Sequence, residues 1–333
     1  GADTFINAAK KASDAGVPIV TQLAASARAG DVVTTTVTLP DGSTRVLSTT
    51  LKTADIQAGH ISQLLTQSNL ATDGAYSAST TLTSAVTGLE SLPTVNTFTL
   101  DTSAPIAGTG ALASVSDSGT VGDNKTNDNT PTLSGSAEAN ATVQIVVNGQ
   151  TYTVTANAQG VWTLPATATL PDGTYTPVIT VTDAAGNSTT ANGTPFTVDA
   201  TAPATPGVKI PDASQGVSAA EAADGVALVV TLPADAKVGD TVTTVVTSPN
   251  GTTSTLTHVI VAAELPAAQG GTATGAGPFT ISQTVPQAQL LASGSSTTYL
   301  DGAWQTSTTV TDTAGNTSAC LLYTSPSPRD AHE

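Results

Sequence analysis

Whole strand-and-turn blocks recur along this chain, and such recurrence restricts it to an array of similar small modules rather than one large core. Leu170-Pro-Asp172-Gly173-Thr-Tyr175 leads into Ile179-Thr-Val181-Thr-Asp183-Ala-Ala-Gly186-Asn187. Leu300-Asp301-Gly302-Ala-Trp304 leads into Val310-Thr-Asp312-Thr-Ala-Gly315-Asn316 with the same spacing from Asp-Gly to the later aspartate. A worn copy begins at Asp73-Gly74-Ala-Tyr76, where Ser84 stands at the later aspartate's place and the Ala-Gly-Asn is lost. Two closing phrases also match, Phe98-Thr-Leu-Asp101-Thr-Ser-Ala-Pro105 and Phe196-Thr-Val-Asp199-Ala-Thr-Ala-Pro203, and they mark the joints.

The first and third modules share a second block. Ala27-Arg-Ala-Gly30-Asp31 through Pro40-Asp-Gly42 parallels Ala236-Lys-Val-Gly239-Asp240 through Pro249-Asn-Gly251 without a gap. The third carries an extra Gly-rich insertion around Gly270 to Gly277, and the first has no counterpart of Pro206 to Ile210, so its first strand is expected to be missing. The predicted modules are therefore 1–101, 102–199 and 200–319. A length of 333 residues suits three sandwiches of roughly 100 residues each.

Between the joints the pattern has period two. Tyr175, Pro177, Ile179 and Val181 alternate with Thr176, Val178, Thr180 and Thr182, which predicts one half-buried strand. Thr and Val fit a pleated surface, and Asn148-Gly149, Asp41-Gly42 and Asn250-Gly251 supply the left-handed backbone that hairpins need. Only Ile6 to Ala15 and Ser218 to Ala223 favour helix, and neither is long enough to stand alone. The fold class is all-β, built of antiparallel β-sandwiches. In such a sandwich the tyrosine of Asp-Gly-x-Tyr is expected to hydrogen-bond back to its turn, with Trp304 filling the same space without that bond.

Charge excludes several functions. Nine Lys plus Arg against 25 Asp plus Glu give a net charge of −16, which repels nucleic acid and anionic lipid and attracts cations. No apolar run reaches the roughly 18 residues of a membrane helix, so neither nucleic-acid binding nor membrane insertion is expected. The opening Gly1-Ala2-Asp3 has no signal-peptide character, and the chain reads as a piece of something longer. The composition of 320–333 breaks with the rest: Cys320-Leu-Leu-Tyr-Thr-Ser-Pro-Ser-Pro-Arg-Asp330 resembles one reading frame of a sequencing adaptor and is taken as a non-native tail. On that reading no cysteine remains, and disulfides cannot staple the modules.

The middle segment, with Asp117-Ser-Gly, Asp123, Thr126-Asn-Asp128-Asn-Thr-Pro-Thr-Leu-Ser-Gly135-Ser-Ala-Glu138 and Asp183-Ala-Ala-Gly-Asn187, resembles the bacterial immunoglobulin-like repeats of large RTX- or Bap-like adhesins. The flanking modules look like divergent relatives. The resemblance implies tandem immunoglobulin-like sandwiches in an elongated array, forming a calcium-stiffened stalk on a Gram-negative cell surface or in a secreted, biofilm-type fibre. It also implies neighbouring repeats of the same chain as partners and a host-cell or matrix ligand held elsewhere in the parent protein.

The aspartates are the one unevenly placed chemical group. In a seven-stranded sandwich the last hairpin loop lies where the preceding domain enters, so Asp183 is expected to approach Asp101, and Asp312 to approach Asp199. Calcium wants six to eight oxygen ligands, and carboxylates and carbonyls from two modules would supply them. Asp117, Asp123 and Asp128, with Asn127 and Asn129, form a second candidate cluster. Aspartate and asparagine are equally ordinary turn residues that bond their own backbone, so both readings stand. Ser84 weakens the calcium expectation for the first module.

Catalysis finds no footing. His60 and His258 are isolated, and no nucleophile elbow, metal-protease helix or phosphate loop occurs. The chain is expected not to be an enzyme. The alternatives are a glycan- or protein-binding module and an accessory segment of a secreted hydrolase.

Overall fold

The computed structural model describes residues 4–13, 16–211, 222–274, 277–292, 294–295, 299–300 and 302–325. Nearly all regular structure is β, arranged in antiparallel sheets with a few short helices. Chain contacts divide the molecule into two compact units. The first comprises 1–111, 134–164 and 176–194, and the second 112–133, 165–175 and 195–333.

In the first unit a five-stranded sheet runs in the order Phe5–Ile6, Thr94–Leu100, Gly74–Thr83, Val32–Thr38, Thr44–Thr50. A two-stranded sheet pairs Gly16–Gln22 with His60–Thr66. Alternate residues point inward from both: Val37, Tyr76, Ala78 and Leu100 meet Leu65, with Val17 and Ile19 packed against them. Burying a large aliphatic or aromatic side chain in this way contributes roughly 1.5–3 kcal/mol. Phe5–Ile6 joins its neighbour in parallel, and a helix, Ala8–Ser13, follows within the segment expected to favour helix. The same unit holds a four-stranded sheet in the order Gln150–Thr155, Thr142–Val147, Val178–Thr182, Ser188–Asn192.

Hairpin chemistry is visible at Asn148-Gly149. Both residues have positive φ, 48° and 73°, and they join Val147 to Gln150 as a two-residue turn whose twist matches the strands it connects. Close packing explains two other glycines. A Cβ at Gly110 or Gly135 would lie 2.9 or 2.7 Å from the ring of buried Trp162, whose Nε1 donates to Thr109 O.

The expected single strand from Tyr175 to Thr182 is two strands. Gly173–Tyr175 pairs with Phe196–Val198, whereas Val178–Thr182 pairs with Thr142–Val147 and Ser188–Asn192 in another sheet. The break falls at Thr176-Pro177, where proline has no N–H to give a ladder and fixes φ. The period-two pattern continues through the break, which is why it reads as one strand.

In the second unit Gly207–Lys209, Val226–Thr231 and Thr280–Val285 form one sheet, and Thr253–Val259, Thr241–Thr247, Trp304–Thr311 and Leu321–Ser325 form another. Two apolar clusters lie between them, one around Val230, Val242, Ile260 and Val310, the other around Leu228, Val246, Val285 and Leu290. The sheet containing Gly16–Gln22 has two strands among the described residues where this counterpart has three. Leu321–Ser325, inside the segment read as adaptor-derived, pairs with Trp304–Thr308, and Leu321 and Tyr323 pack on the core. Residues 326–333 lie outside the described residues, as do 218–221 of the second helix-favouring segment.

Candidate functional site at the module joints

The loop after strand Val178–Thr182 closes on itself before it reaches its neighbour. Asp183 Oδ1 accepts from the backbone N–H groups of Gly186 and Asn187 at 2.7 and 2.9 Å, which fixes the turn. This places the buried Asn187 side chain at the first joint. Its Nδ2 donates to Asp183 Oδ2 and to the backbone carbonyl of Asp101, both at 2.9 Å, and its Oδ1 accepts from Ala8 N–H at 3.2 Å. One amide therefore ties the end of strand Thr94–Leu100 to the loop after strand Val178–Thr182.

The second joint repeats the device. Asp312 Oδ1 accepts from Asn316 N–H at 2.9 Å, and Asn316 Nδ2 donates to Asp312 Oδ2 at 2.8 Å and to Asp199 O at 2.6 Å. Asn187 thus contacts both Asp183 and the Asp101 carbonyl, and Asn316 both Asp312 and the Asp199 carbonyl. At each joint an asparagine bridges the loop carboxylate to the partner's backbone carbonyl.

Turn aspartates hold the outgoing chain at each joint. Asp73 accepts from Thr102 N–H and Oγ1 and from Ser103 Oγ. Asp172 accepts from Ala200 N–H and from Thr201 Oγ1. These bonds hold the Asp73 and Asp172 carboxyls below the usual carboxylate range. For Asp73, burial is the largest influence and opposes the shift, and the Thr102 and Ser103 donors outweigh it. For Asp172 the Thr201 hydroxyl contributes most.

Two features set the second joint apart. The loop Ser118 to Lys125 docks on the loop after Asp312, with Thr120 N–H donating to Thr313 O, Ser118 Oγ to Ala314 O and Lys125 Nζ to Thr313 Oγ1. Gly119, at φ +66°, lies so close to Thr313 O that no Cβ could be accommodated there. The second feature is charge. Asp172, Asp199, Asp235, Asp240 and Asp312 line one cleft with a single cation, Lys237. Lys237 Nζ reaches Asp199 Oδ2 at 3.2 Å.

Asp240 is 1% exposed and its Oδ2 accepts from Lys237 N–H at 2.7 Å, but its Oδ1 is buried without a hydrogen-bond partner among the described residues. Burial pushes its carboxyl above 3.8, the Lys237 N–H opposes this, and the Asp312 charge adds to the rise. Burial alone would lower the lysine, yet the bond to Asp199 and the charges of Asp199, Asp240 and Asp312 hold it above its usual 10.5.

Asp117, Asp123 and Asp128 are engaged separately. Asp117 Oδ2 accepts from Gly122 N–H, Asp123 Oδ1 from Lys125 N–H, and Asp128 Oδ1 from Thr130 N–H and Oγ1, each a local turn contact. Asp128 Oδ2 also accepts from Ser116 Oγ, and Asp117 Oδ1 is buried without a partner. Among the described residues no three His, Cys, Asp or Glu side chains are clustered as a set of metal ligands.

The donor sets at the two joints are engaged alike. At the first, both Asp183 oxygens accept N–H groups. At the second, both Asp312 oxygens do the same, and the Asp240 oxygen without a partner is buried.

Sequence reading missed Asn187 and Asn316 as the bridging groups, and Asp240 and Lys237 as part of the site. The available signals are the repeated Ala-Gly-Asn and the parallel between Arg28-Ala-Gly-Asp31 and Lys237-Val-Gly-Asp240. His258 Nε2 pairs with Glu264 Oε2 at 2.9 Å, and His60 Nδ1 lies 3.0 Å from Ala58 O.

Residues 104–200 match the family described as the bacterial Ig-like domain, so the middle module carries that family's sequence pattern. No curated protein matches the chain. Among solved structures it is similar to a Ca²⁺-stabilized adhesin that helps an Antarctic bacterium reach out and bind ice, with 28% identity, 97% of this chain and 70% of that one covered, and a TM-score of 0.40. It is also similar to a 1.5-MDa bacterial ice-binding adhesin, with 24% identity, coverages of 98% and 95%, and a TM-score of 0.36. A tetra-tandem repeat in the extending region of a large adhesion protein follows, with 20% identity, coverages of 93% and 70%, and a TM-score of 0.29. Among the described residues no helix is long and apolar enough to cross a membrane.

Proposed function

We propose that this chain is a non-catalytic structural segment of a bacterial extracellular adhesin or biofilm-type surface protein. Its modules 1–101, 102–199 and 200–319 stand in series as part of a stalk that presents a distal binding region. The observation that carries this reading is the repeated latch: Asn187 on Asp101 and Asn316 on Asp199 use the same atoms in the same way. A chain whose recurring polar chemistry is spent on tying one module to the next is suited to holding a spacing. The bacterial Ig-like match at 104–200 supports the class.

In this reading calcium stiffens the joints. Asp199 and Asp312 would hold it at the second joint, and Asp101 and Asp183 at the first, by displacing the N–H groups that Asp183 and Asp312 now accept. Asp117, through its unpartnered Oδ1, is the member of the Asp117, Asp123 and Asp128 loop placed to add another. The chemistry bound calcium would supply is neutralisation of carboxylates that otherwise repel one another. At a hundredfold excess over its dissociation constant, each bound ion would add about 2.7 kcal/mol of stability.

Thermal melting of the full chain in calcium and in chelator tests this, alongside Asp101→Ala and Asp199→Ala. The expected result is a calcium-dependent rise in midpoint that either substitution reduces. Identical melts in both buffers would remove calcium from the proposal.

A further inference from the structure

A cleft opens beside the Asn250-Gly251 hairpin of the third module, away from the aspartates of the joints. We propose that it binds one neutral hexopyranoside, held between Trp304 and the side chains of that hairpin. This goes beyond the stalk reading and does not depend on calcium.

The cleft has a volume of 340 Å³, inside the range of about 300–1,000 Å³ usual for small-ligand sites. Trp304 lines it together with Ser248, Asn250, Thr252, Ser254 and Gln289. In a chain of net charge −16, no charged side chain lines it among the described residues. A charged ligand would find no counter-ion in it, and the chain as a whole repels anions.

A pyranose ring has hydroxyls round its edge and C–H groups on its faces. The faces call for an apolar plane, and an indole supplies one together with an N–H donor. Trp304 is half-buried, packed against the apolar cluster around Leu228, Val246 and Val285, and its Nε1 bonds no group among the described residues. The edge calls for neutral donors and acceptors. Asn250 Oδ1 accepts from Ser248 Oγ at 2.6 Å and from Thr252 N–H at 3.0 Å, which fixes the amide and leaves its Nδ2 hydrogens to donate.

The first module shows the same place closed. Strand register sets Tyr76 where Trp304 stands and Arg45 where Ser254 stands, with Asp41 in the hairpin where Asn250 is. Tyr76 is 1% exposed and stacked on Phe98, and its hydroxyl is engaged by Thr72 O. Asp41 Oδ1 accepts from Ser43 N–H and Oγ and so holds its turn as Asn250 does, but a carboxylate has no hydrogen to offer. The accessible indole, the donor amide and the uncharged lining belong to the third module and not to the first.

Saturation-transfer NMR of the full chain with methyl glucoside, methyl galactoside and methyl mannoside tests the proposal, with glucuronate as the charged control. Wild type is expected to bind at least one glycoside and not the uronate. Asn250→Asp keeps the acceptor that fixes the turn, as Asp41 does, so it is expected to melt as wild type and to bind the glycoside about tenfold more weakly, the size of one lost hydrogen bond. Trp304→Phe keeps a ring, loses the N–H, and is expected to weaken binding as well. Silence from all three glycosides, equal binding of glucuronate, or wild-type affinity in either variant would overturn the site. None of these results bears on the melts in calcium and chelator, which test the joints.

Discussion

Asp31 and Asp240 occupy the same place in two modules and differ by one hydrogen bond. Each accepts a backbone N–H three residues upstream, but only Asp31 has a second, from Ala85 at 3.0 Å. The Ala85 and Arg28 N–H groups hold the Asp31 carboxyl below 3.8, whereas burial pushes Asp240 above it.

The two aspartates should therefore respond to pH with opposite sign. A depressed carboxyl contributes stability that is present above its unfolded pKa and lost as pH falls through its folded value. A raised one costs stability as pH climbs from the unfolded value through the folded one. At pH 7 Asp31→Asn should destabilise the chain. In chelator, Asp240→Asn should stabilise it by about 1–3 kcal/mol, because it replaces a buried carboxylate that has an unpartnered oxygen with a neutral group. The Asp240 difference should shrink as pH falls through its raised folded-state value. Denaturant titrations at pH 7 and pH 3 check this, and a loss of stability for Asp240→Asn at pH 7 would refute it.

The asparagine latch has a measurable worth. Asn187→Ala removes donors from Asp101 O and Asp183 Oδ2 and an acceptor from Ala8 N–H, so about 2–3 kcal/mol should be lost. Asn187→Asp keeps the shape but sets an oxygen against a carboxylate and a carbonyl, and should cost at least as much. Urea midpoints at constant slope provide the measurement. A neutral Asn187→Ala would mean that the joint is held by other contacts.

Much of this was legible in the sequence, and the rest was not for physical reasons. The Asn148-Gly149 turn and the tyrosine corners follow from local chemistry that spacing preserves. Asp183 and Asp312 could be placed because a repeated loop must return to the same end of its sandwich. Asn187 and Asn316 could not be ranked above other asparagines, because whether an amide donates to its own turn or to a neighbour is decided by the approach of a second chain segment. Pro177 ended a strand inside an unbroken alternation, since alternation records which face is buried and not which sheet is joined. The reach of the Lys237 ammonium escaped for a similar reason: its partner, Asp199, lies 38 residues earlier.

The tyrosine corners provide a cleaner test of one hydrogen bond. Tyr76 Oη donates to Thr72 O at 2.8 Å, and Tyr175 Oη donates to Pro171 O at 2.6 Å. Tyr76 also stacks on Phe98 with centroids 5.0 Å apart, a contact that phenylalanine would keep. Tyr76→Phe and Tyr175→Phe should each cost about 1 kcal/mol, read as a fall in denaturation midpoint. A loss several times larger would show that the ring, and not only the hydroxyl, is displaced.

A buried glutamine recurs in the first and third modules with different company, and the difference predicts opposite mutational outcomes. Gln63 Oε1 accepts from Thr35 Oγ1 at 2.6 Å, and its Nε2 donates to Val33 O, Leu47 O and Thr49 Oγ1 at 3.1 to 3.3 Å. Thr35 also bonds Thr80 at 2.9 Å, making a polar layer across the sandwich. At the matching place Thr244 and Thr308 keep their bond at 3.1 Å, but both amide atoms of Gln283 and the Thr306 hydroxyl are buried without a partner among the described residues. Gln63→Leu should therefore cost about 1–3 kcal/mol, because it strands acceptors that the amide now serves. Gln283→Leu removes an unserved polar group, fills much the same volume, and should be neutral or stabilising by about 1 kcal/mol. Paired chemical denaturation of the two variants decides the matter: an equal loss at both positions would mean that Gln283 has partners equivalent to those of Gln63.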